Sequence, residues 1–306
     1  MDLSYTQNLE DYHLSLAFAG RTTGTYVDVG AGHPVADNVS MWFYERGWRG
    51  LVVEPQPGLH ALYARLRPRD TAVCGLVGRR TGTADFHVVN RLHGLSTTLE
   101  AVARGAGAFG AGYRTVTAPV ATLDDLCAEH GLDDVDFLKI DVEGAEADVL
   151  HGADFGRWRP KVIVVEAVTP GAGEPAWEAW EPHLLASGYR FALFDTLNRF
   201  YVAEEHSDVF ARLPSERAPW DSVRHMYEIG RAPENPLHPD HALARELAHG
   251  FWARLPWLDR GLLAEILSRA GSGPAAEFAR EVDTEAFTAA LGRIACGYDG
   301  GQIVDD

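Results

Sequence analysis

The stretch Val135-Asp136-Phe137-Leu138-Lys139-Ile140-Asp141-Val142-Glu143-Gly144-Ala145-Glu146 limits what this chain can fold into more than any other. It opens as a short apolar run and breaks into carboxylates at Asp141, Glu143 and Glu146. The run is too short for a helix and is flanked by helical patterns, so it predicts a buried strand of a parallel sheet. Ligands of such sheets sit beyond the carboxyl ends of the strands, where Asp141 and Glu143 fall. A carboxylate placed there costs desolvation free energy unless a ligand, metal or donor satisfies it. Asp141 is therefore read as functional. Glu146 is read as a cap on the following helix, expected from Gly144 to Leu150, because acids favour a helix N-terminus.

At 306 residues the chain can form one large domain or a domain with a sizeable appendage. An apolar fraction of 46% and a charged fraction of 23% are those of a soluble globular protein. A net charge of −17 argues against binding to a phosphate backbone or to anionic lipid, so neither nucleic acid nor membrane is expected as a partner. Cys74, Cys127 and Cys296 are odd in number and far apart, which fits a reducing compartment and no zinc site. The Leu14–Ala19 stretch is short and preceded by acids, unlike a signal peptide. The expectation is a cytoplasmic protein.

In chain order, Ser4 to Asp11 is a polar lead into a short helix ending near Gly20. Thr25 to Val29 predicts a β-branched strand that enters Asp28-Val29-Gly30-Ala31-Gly32-His33-Pro34. Glycines after a strand let the backbone turn sharply and approach a ligand. A helix is expected from about Ala36 to Arg46, then a strand at Leu51–Val53 ending in Glu54, an acid placed to hold the two hydroxyls of a ribose. A dinucleotide fingerprint beginning at Gly30 would want glycine at position 35, which here is Val35 after Pro34. The loop suits a nucleoside without phosphates, such as S-adenosylmethionine, better than a diphosphate.

With these elements in hand the sequence resembles the FkbM-type methyltransferases from about Ser4 to Glu205. The motifs are Ser4-Tyr5-Thr6-Gln7-Asn8-Leu9-Glu10-Asp11, Val27 to Val35, Phe43 to Gly50, Glu54-Pro55, Leu95-Ser96-Thr97-Thr98-Leu99, Phe137 to Glu146, Val164-Val165-Glu166 and Leu197 to Val202. His33 and Gly32 stand where the family more often has an acid and Asn. The resemblance implies an α/β fold, a Rossmann-like class I methyltransferase sheet that is mostly parallel with an antiparallel last strand. It implies S-adenosyl-L-methionine as cofactor and a hydroxyl of a sugar, glycoside or polyketide-like metabolite as acceptor. It places Gly30 and Gly32 beside the methionine part, Glu54 on the ribose and Gly75-Leu76 at the adenine. Gln7, Asp28, Ser96 and Asp141 complete the cofactor-binding set.

The stretch 81–117 interrupts the alternation of strands and helices. Ala84–Val89 and Tyr113–Val120 predict strands, with a Gly/Ala-rich flexible link from Gly105 to Gly112. The resemblance favours a lid at Leu95 to Thr98; a solvated Ser/Thr turn is the other reading. Thr122 to Asp125 carries a helix-capping pattern. Val162–Val165 predicts a strand ending in Glu166, and Tyr189–Phe194 with Arg199–Val202 a closing hairpin. A methyltransferase domain is thus expected over 1–205, with an N-terminal helix in 1–20 and the lid in 81–120. Residues 206–306 are expected to be a helical extension serving as cap or dimerisation element, which makes a homodimer through these helices a candidate.

A sulfonium carries its own leaving group, so the protein has to align a nucleophile and help remove its proton. Asp141 and Glu166 are candidate oxygen ligands for magnesium bridging a sugar diol. Direct proton removal by Asp141 or by His33 is ranked ahead of the metal. Leu243, Leu247 and Phe251 are expected to share one helix face, Leu262, Leu263, Ile266 and Leu267 another, and Phe287, Leu291 and Ile294 a third. His238, His241 and His249 lack the closed ligand set of a zinc site. Two other functions stay open beside O-methylation of a small-molecule acceptor, with N-methylation as its variant. A nicotinamide-dependent oxidoreductase is disfavoured by Val35, and a non-catalytic nucleoside-binding module would keep the site without turnover.

Overall fold

A computed structural model describes residues 2–90, 92–228, 230, 232–252, 254–269, 277 and 280–299. The chain divides into two units, Met1–Met226 and Tyr227–Asp306. The first begins with β1 (Leu3–Ser4), α1 (Glu10–Ala17), β2 (Thr25–Val29), α2 (Met41–Glu45), β3 (Arg49–Val53), α3 (Pro57–Leu66), β4 (Thr71–Val73) and β5 (Leu76–Val77). It continues with β6 (Gly82–Val89), α4 (Glu100–Gly105), β7 (Tyr113–Ala121), α5 (Leu123–Glu129), β8 (Phe137–Ile140), α6 (Glu146–His151) and β9 (Val162–Glu166). It closes with α7 (Glu181–Ala186), β10 (Tyr189–Phe194), β11 (Asn198–Ala203), α8 (Ser207–Arg212) and β12 (Arg224–His225).

Seven of these strands form one sheet in the order β10-β11-β9-β8-β2-β3-β4. β11 runs antiparallel to both neighbours and the remaining pairings are parallel. This is the α/β, mostly parallel sheet with an antiparallel last strand that the sequence implies. Strands buried on both faces need apolar side chains in near-continuous runs, and all four residues of β8 are buried, Lys139 included. Period-two alternation sends Val27, Val29, Leu51, Val53, Leu138 and Ile140 to one core, where Leu126, Val149 and Leu150 of α5 and α6 meet them. The other face carries Tyr26 and Phe137, stacked at 5.4 Å, with Phe43 4.8 Å from Phe137 and Trp48 4.8 Å from Phe43. Each such side chain contributes about 1.5–3 kcal/mol by leaving water.

Four expectations are corrected. The helix expected from Ala36 to Arg46 is reduced to Met41–Glu45, because Asp37 takes φ +54° and the side chain of Asn38 bonds the Ala31 carbonyl at 2.8 Å. The helix after β8 begins at Glu146, since Gly144 at φ +103° cannot belong to it. The flexible link after Gly105 is instead a 3-10 turn at Ala106–Phe109 following α4, and β6 and β7 pair along their length in a second sheet with β5. The boundary expected at 205/206 falls inside the first unit. β12 pairs in parallel with β1, Arg212 donates to the Ala17 carbonyl at 3.4 Å, and the Ala218 amide donates to His13 Nε2 at 3.0 Å.

The second unit holds α9 (His241–Leu247), a π-helical turn at Ala248–Trp252, α10 (Arg260–Arg269) and α11 (Thr284–Asp299). Its small core consists of Leu255, Leu263, Ala264, Phe287 and Leu291. Of the three faces read from the sequence, Leu243, Leu247, Phe251, Leu262, Ile266 and Ile294 are exposed. The side chain of His249 lies outside the described residues. Among the described residues no helix is long and apolar enough to cross a membrane.

Candidate active site

Three strand ends are laced together where the sequence places its glycines. The amides of Gly30 and Ala31 donate to the Val53 carbonyl at 3.0 and 3.1 Å, and the Asp141 amide donates to the Val29 carbonyl at 3.0 Å. Gly30 has φ +74°, and a β-carbon there would lie 1.7 Å from the Asp141 carbonyl oxygen. That close approach leaves room for glycine alone. Gly32, at φ +61°, meets no atom within 4 Å of an added β-carbon. Its amide donates to Glu54 Oε2 at 2.9 Å, while the Gln56 amide donates to Glu54 Oε1 at 2.7 Å. Burial pushes the Glu54 carboxyl above its ordinary range against these two donors.

The cleft beyond these strand ends is lined by Gln7, Gly30, Gly32, His33, Glu54, Gly75, Leu76, Ser96 and Asp141. All nine were singled out in the sequence. Phe86, Thr98 and Asp37 line it too and were not assigned to it, and so does Glu143, which the sequence places at the ligand end of the strand without a role of its own. Ser96 and Thr98 come from the stretch read as a lid. Its Thr97 side chain donates to the Glu143 carbonyl at 2.8 Å, and Ser96 Oγ accepts the Val89 amide at 3.1 Å.

Two assigned residues do other work. Asp28 does not line the cleft: it is buried in β2 and accepts the Ser40 hydroxyl at 2.6 Å, because alternation along the strand turns it away from the face of Val27 and Val29. His33 lines the cleft but is poorly made for a direct base. Its Nδ1 accepts the amides of Val35 and Ala36 at 3.2 and 3.1 Å, so the neutral ring carries its proton on Nε2. Glu146 stands in the first turn of α6, but its Oε1 accepts the amides of Gly144 and Val142 in the preceding turn at 3.0 and 3.2 Å, so it ties down that turn rather than capping the helix.

The third feature is a gathering of carboxylates. One oxygen from each of Asp141, Glu143 and Glu166 lies within 4.8 Å of the others. Glu166 is outside the residues lining the cleft but joins the two that do line it. Its Oε2 is buried and, among the described residues, has no hydrogen-bond partner. Glu143 takes φ +57° at the start of the turn after β8, which brings its side chain back beside Asp141. Burial raises the carboxyl groups of Glu143 and Glu166 above their ordinary range, and the neighbouring Asp141 charge raises them further. Lys139 stands beside them, with Nζ donating to Asp141 Oδ2 at 3.2 Å and to Asn198 Oδ1 at 2.6 Å. Asn198 in turn donates to Glu10 Oε1 at 2.8 Å. Burial works against the Lys139 charge, yet Asp141, Glu10 and Glu166 outweigh it and hold the ammonium above its ordinary range. The sequence reading missed Glu143, Lys139 and Asn198 as one network. A signal existed: a lysine inside a strand read as buried requires anionic or oxygen partners.

A family model described as "Methyltransferase FkbM domain" matches residues 28–191, a little over half of the chain. "Methyltransferase sdnD" of Sordaria araneosa is 44% identical over 52 residues, 17% of this chain and 20% of that protein, so the chain matches about a fifth of that relative's length. Among solved structures, the SAH-bound form of CalO1, a methyltransferase in calicheamicin biosynthesis, is 15% identical. It has a TM-score of 0.31 over 63% of this chain and 54% of that one.

Proposed function

This chain belongs to the FkbM methyltransferase family, and we propose on that premise that it transfers the methyl of S-adenosyl-L-methionine to a hydroxyl of a sugar, glycoside or polyketide-like small molecule. The observation that carries the reading is one continuous cleft from Glu54 past the open Gly32 to Asp141. Glu54 keeps acceptor capacity beyond its two amide donors for the ribose hydroxyls, since each carboxylate oxygen accepts more than one bond. Gly75 and Leu76 flank the adenine end. Nothing in the loop after β2 supplies the diphosphate cradle of a nicotinamide enzyme.

In the transfer, the acceptor oxygen forms a bond to the methyl carbon as the carbon–sulfur bond breaks. That electron pair stays on sulfur and leaves neutral S-adenosylhomocysteine. The hydroxyl proton goes to the carboxylate of Asp141, which is half-buried at the end of β8 and faces the cleft. Holding the two reactants in line is the protein's main task, because the sulfonium is already activated. An amine acceptor would use the same geometry. The exposed Leu243, Leu247, Leu262 and Ile266 of the second unit support, as a separate proposal, self-association through the C-terminal helices.

Calorimetric titration with S-adenosylhomocysteine, with NAD in parallel, tests the cofactor. The expected outcome is binding of the homocysteine product alone, weakened at least about tenfold in Glu54→Ala, the loss of roughly one charge-assisted hydrogen-bond pair. Preference for NAD, or no binding, would overturn the reading.

A further inference from the structure

We propose that Asp141, Glu143 and Glu166 form a divalent-cation site at the carboxyl ends of β8 and β9, and that the acceptor binds there through two adjacent oxygens. Three hard oxygen donors come from two strand ends and a turn, with one oxygen of each within 4.8 Å of the others. Ligands on opposite sides of a cation with bonds of 2.1–2.6 Å stand about 4.2–5.2 Å apart. The cluster therefore closes on a cation with little movement.

A second observation points the same way. Glu166 is 92% removed from solvent, from a relative exposure of 8%, and among the described residues its Oε2 has no hydrogen-bond partner. An orphaned carboxylate oxygen in a well-packed sheet is unusual, because desolvating it costs free energy that only a donor or cation returns. Among the described residues neither Glu143 nor Glu166 has an ion-pair partner, while Lys139 is already shared between Asp141 and Asn198. One ammonium is set against three carboxylates. A divalent ion balances that charge, and hard carboxylate oxygens suit magnesium, manganese or calcium.

Three protein ligands leave coordination positions facing the cleft that Asp141 and Glu143 line. Two neighbouring hydroxyls of a sugar ring or an ortho-diol fill two of them, and metal contact acidifies the oxygen to be methylated. Asp141 can ligate through one oxygen and accept the proton on the other. The identity of the acceptor as a diol rests on the methyl-transfer reading; the cation site itself does not.

The test is a titration of the full chain with manganese chloride, reading free manganese by electron paramagnetic resonance, with and without S-adenosylhomocysteine. The expected result is one manganese per chain in either condition, displaced by magnesium. Glu143→Gln and Glu166→Gln should each weaken it at least about tenfold, because even changes to groups behind metal ligands cost 10–100-fold. Circular dichroism of both variants checks that they are folded. Failure to bind manganese in both conditions, or binding that neither folded variant alters, would overturn the site. Homocysteine-product binding in the same samples separates the two ideas: product without manganese removes the cation and keeps methyl transfer, and manganese without product does the reverse.

Discussion

Two buried polar clusters sit on this sheet, and they are finished to different degrees. Around β2 and β3, Arg67 is fully buried and spends all its donors: Nε on Asp70 Oδ2 at 2.8 Å, Nη1 on Asn38 Oδ1 and the Pro34 carbonyl, and Nη2 on Tyr26 Oη and Ser40 Oγ. Asp70 Oδ1 accepts Tyr26 Oη at 2.7 Å and the Gly50 amide at 3.0 Å. At the ends of β8 and β9, three carboxylates face one lysine, and among the described residues one of their oxygens has no hydrogen-bond partner. A closed network fixes a single arrangement of the chain, whereas an open one stores charge for something that arrives later. The difference teaches that burial of a charged residue does not mark a site here. An unsatisfied carboxylate at a strand end beside the cleft does; Arg190, whose Nε and Nη2 are buried without a hydrogen-bond partner among the described residues and which does not line the cleft, shows that an unsatisfied charge alone does not.

The sharpest way to break this contrast is Asp141→Asn. Losing the proton acceptor should lower kcat about 10²–10⁴-fold, equivalent to roughly 3–5 kcal/mol of barrier, while stability to urea stays within about 1 kcal/mol. A variant that keeps turnover but unfolds more easily would make the open cluster structural. Arg67→Ala should do the opposite. It leaves Asp70 and Asp28 buried without their cation, a loss of about 3–5 kcal/mol in stability read from urea denaturation. Product affinity, measured well below the unfolding midpoint, should change less than about threefold, because Arg67 does not line the cleft. Loss of affinity without loss of stability would erase the distinction between the two clusters.

How far the sequence reveals each cluster follows from the range of its contacts. β2, β3, β8 and β9 are legible because apolar runs and their alternation are local properties. Glu54 and Asp141 are legible because each ends such a run. Asp28 misleads for a related reason: it lies in the motif, but the period of two turns it toward Ser40. Arg67 is invisible in the sequence, since its partners lie between 3 and 41 residues away and only tertiary packing unites them. Glu143 is placed at the strand end by the same run, but its return beside Asp141 depends on a left-handed turn that a non-glycine residue rarely adopts, and no local pattern announces that turn. The second unit shows the limit of periodicity. It groups residues by helix face but does not say which faces are covered: Leu263, Phe287 and Leu291 enter the core, while Leu243, Leu247 and Ile294 are exposed.

His13 sharpens the rule at the scale of one side chain. It is fully buried in α1, packed edge-on against Phe200 at 5.9 Å, and it lines no part of the cleft. Its Nε2 accepts the Ala218 amide at 3.0 Å, which puts the neutral ring's proton on Nδ1, an atom with no hydrogen-bond partner among the described residues. Here an unsatisfied atom is neutral, so it signals a modest stability cost and no ligand. Burial, with a smaller contribution from the Arg217 charge, lowers the imidazole to about 4. The folded state therefore resists a proton that the unfolded chain takes up near 6.5. The stability from this neutral ring is complete above pH 6.5 and is lost as pH falls from 6.5 toward 4, by about 3 kcal/mol. His13→Gln, which keeps an acceptor for Ala218, should flatten that part of the stability profile and leave product binding at pH 7.5 unchanged. A profile that stays as steep would move the acid sensitivity to other groups, and a loss of product affinity would mean that a neutral orphan can report on the site after all.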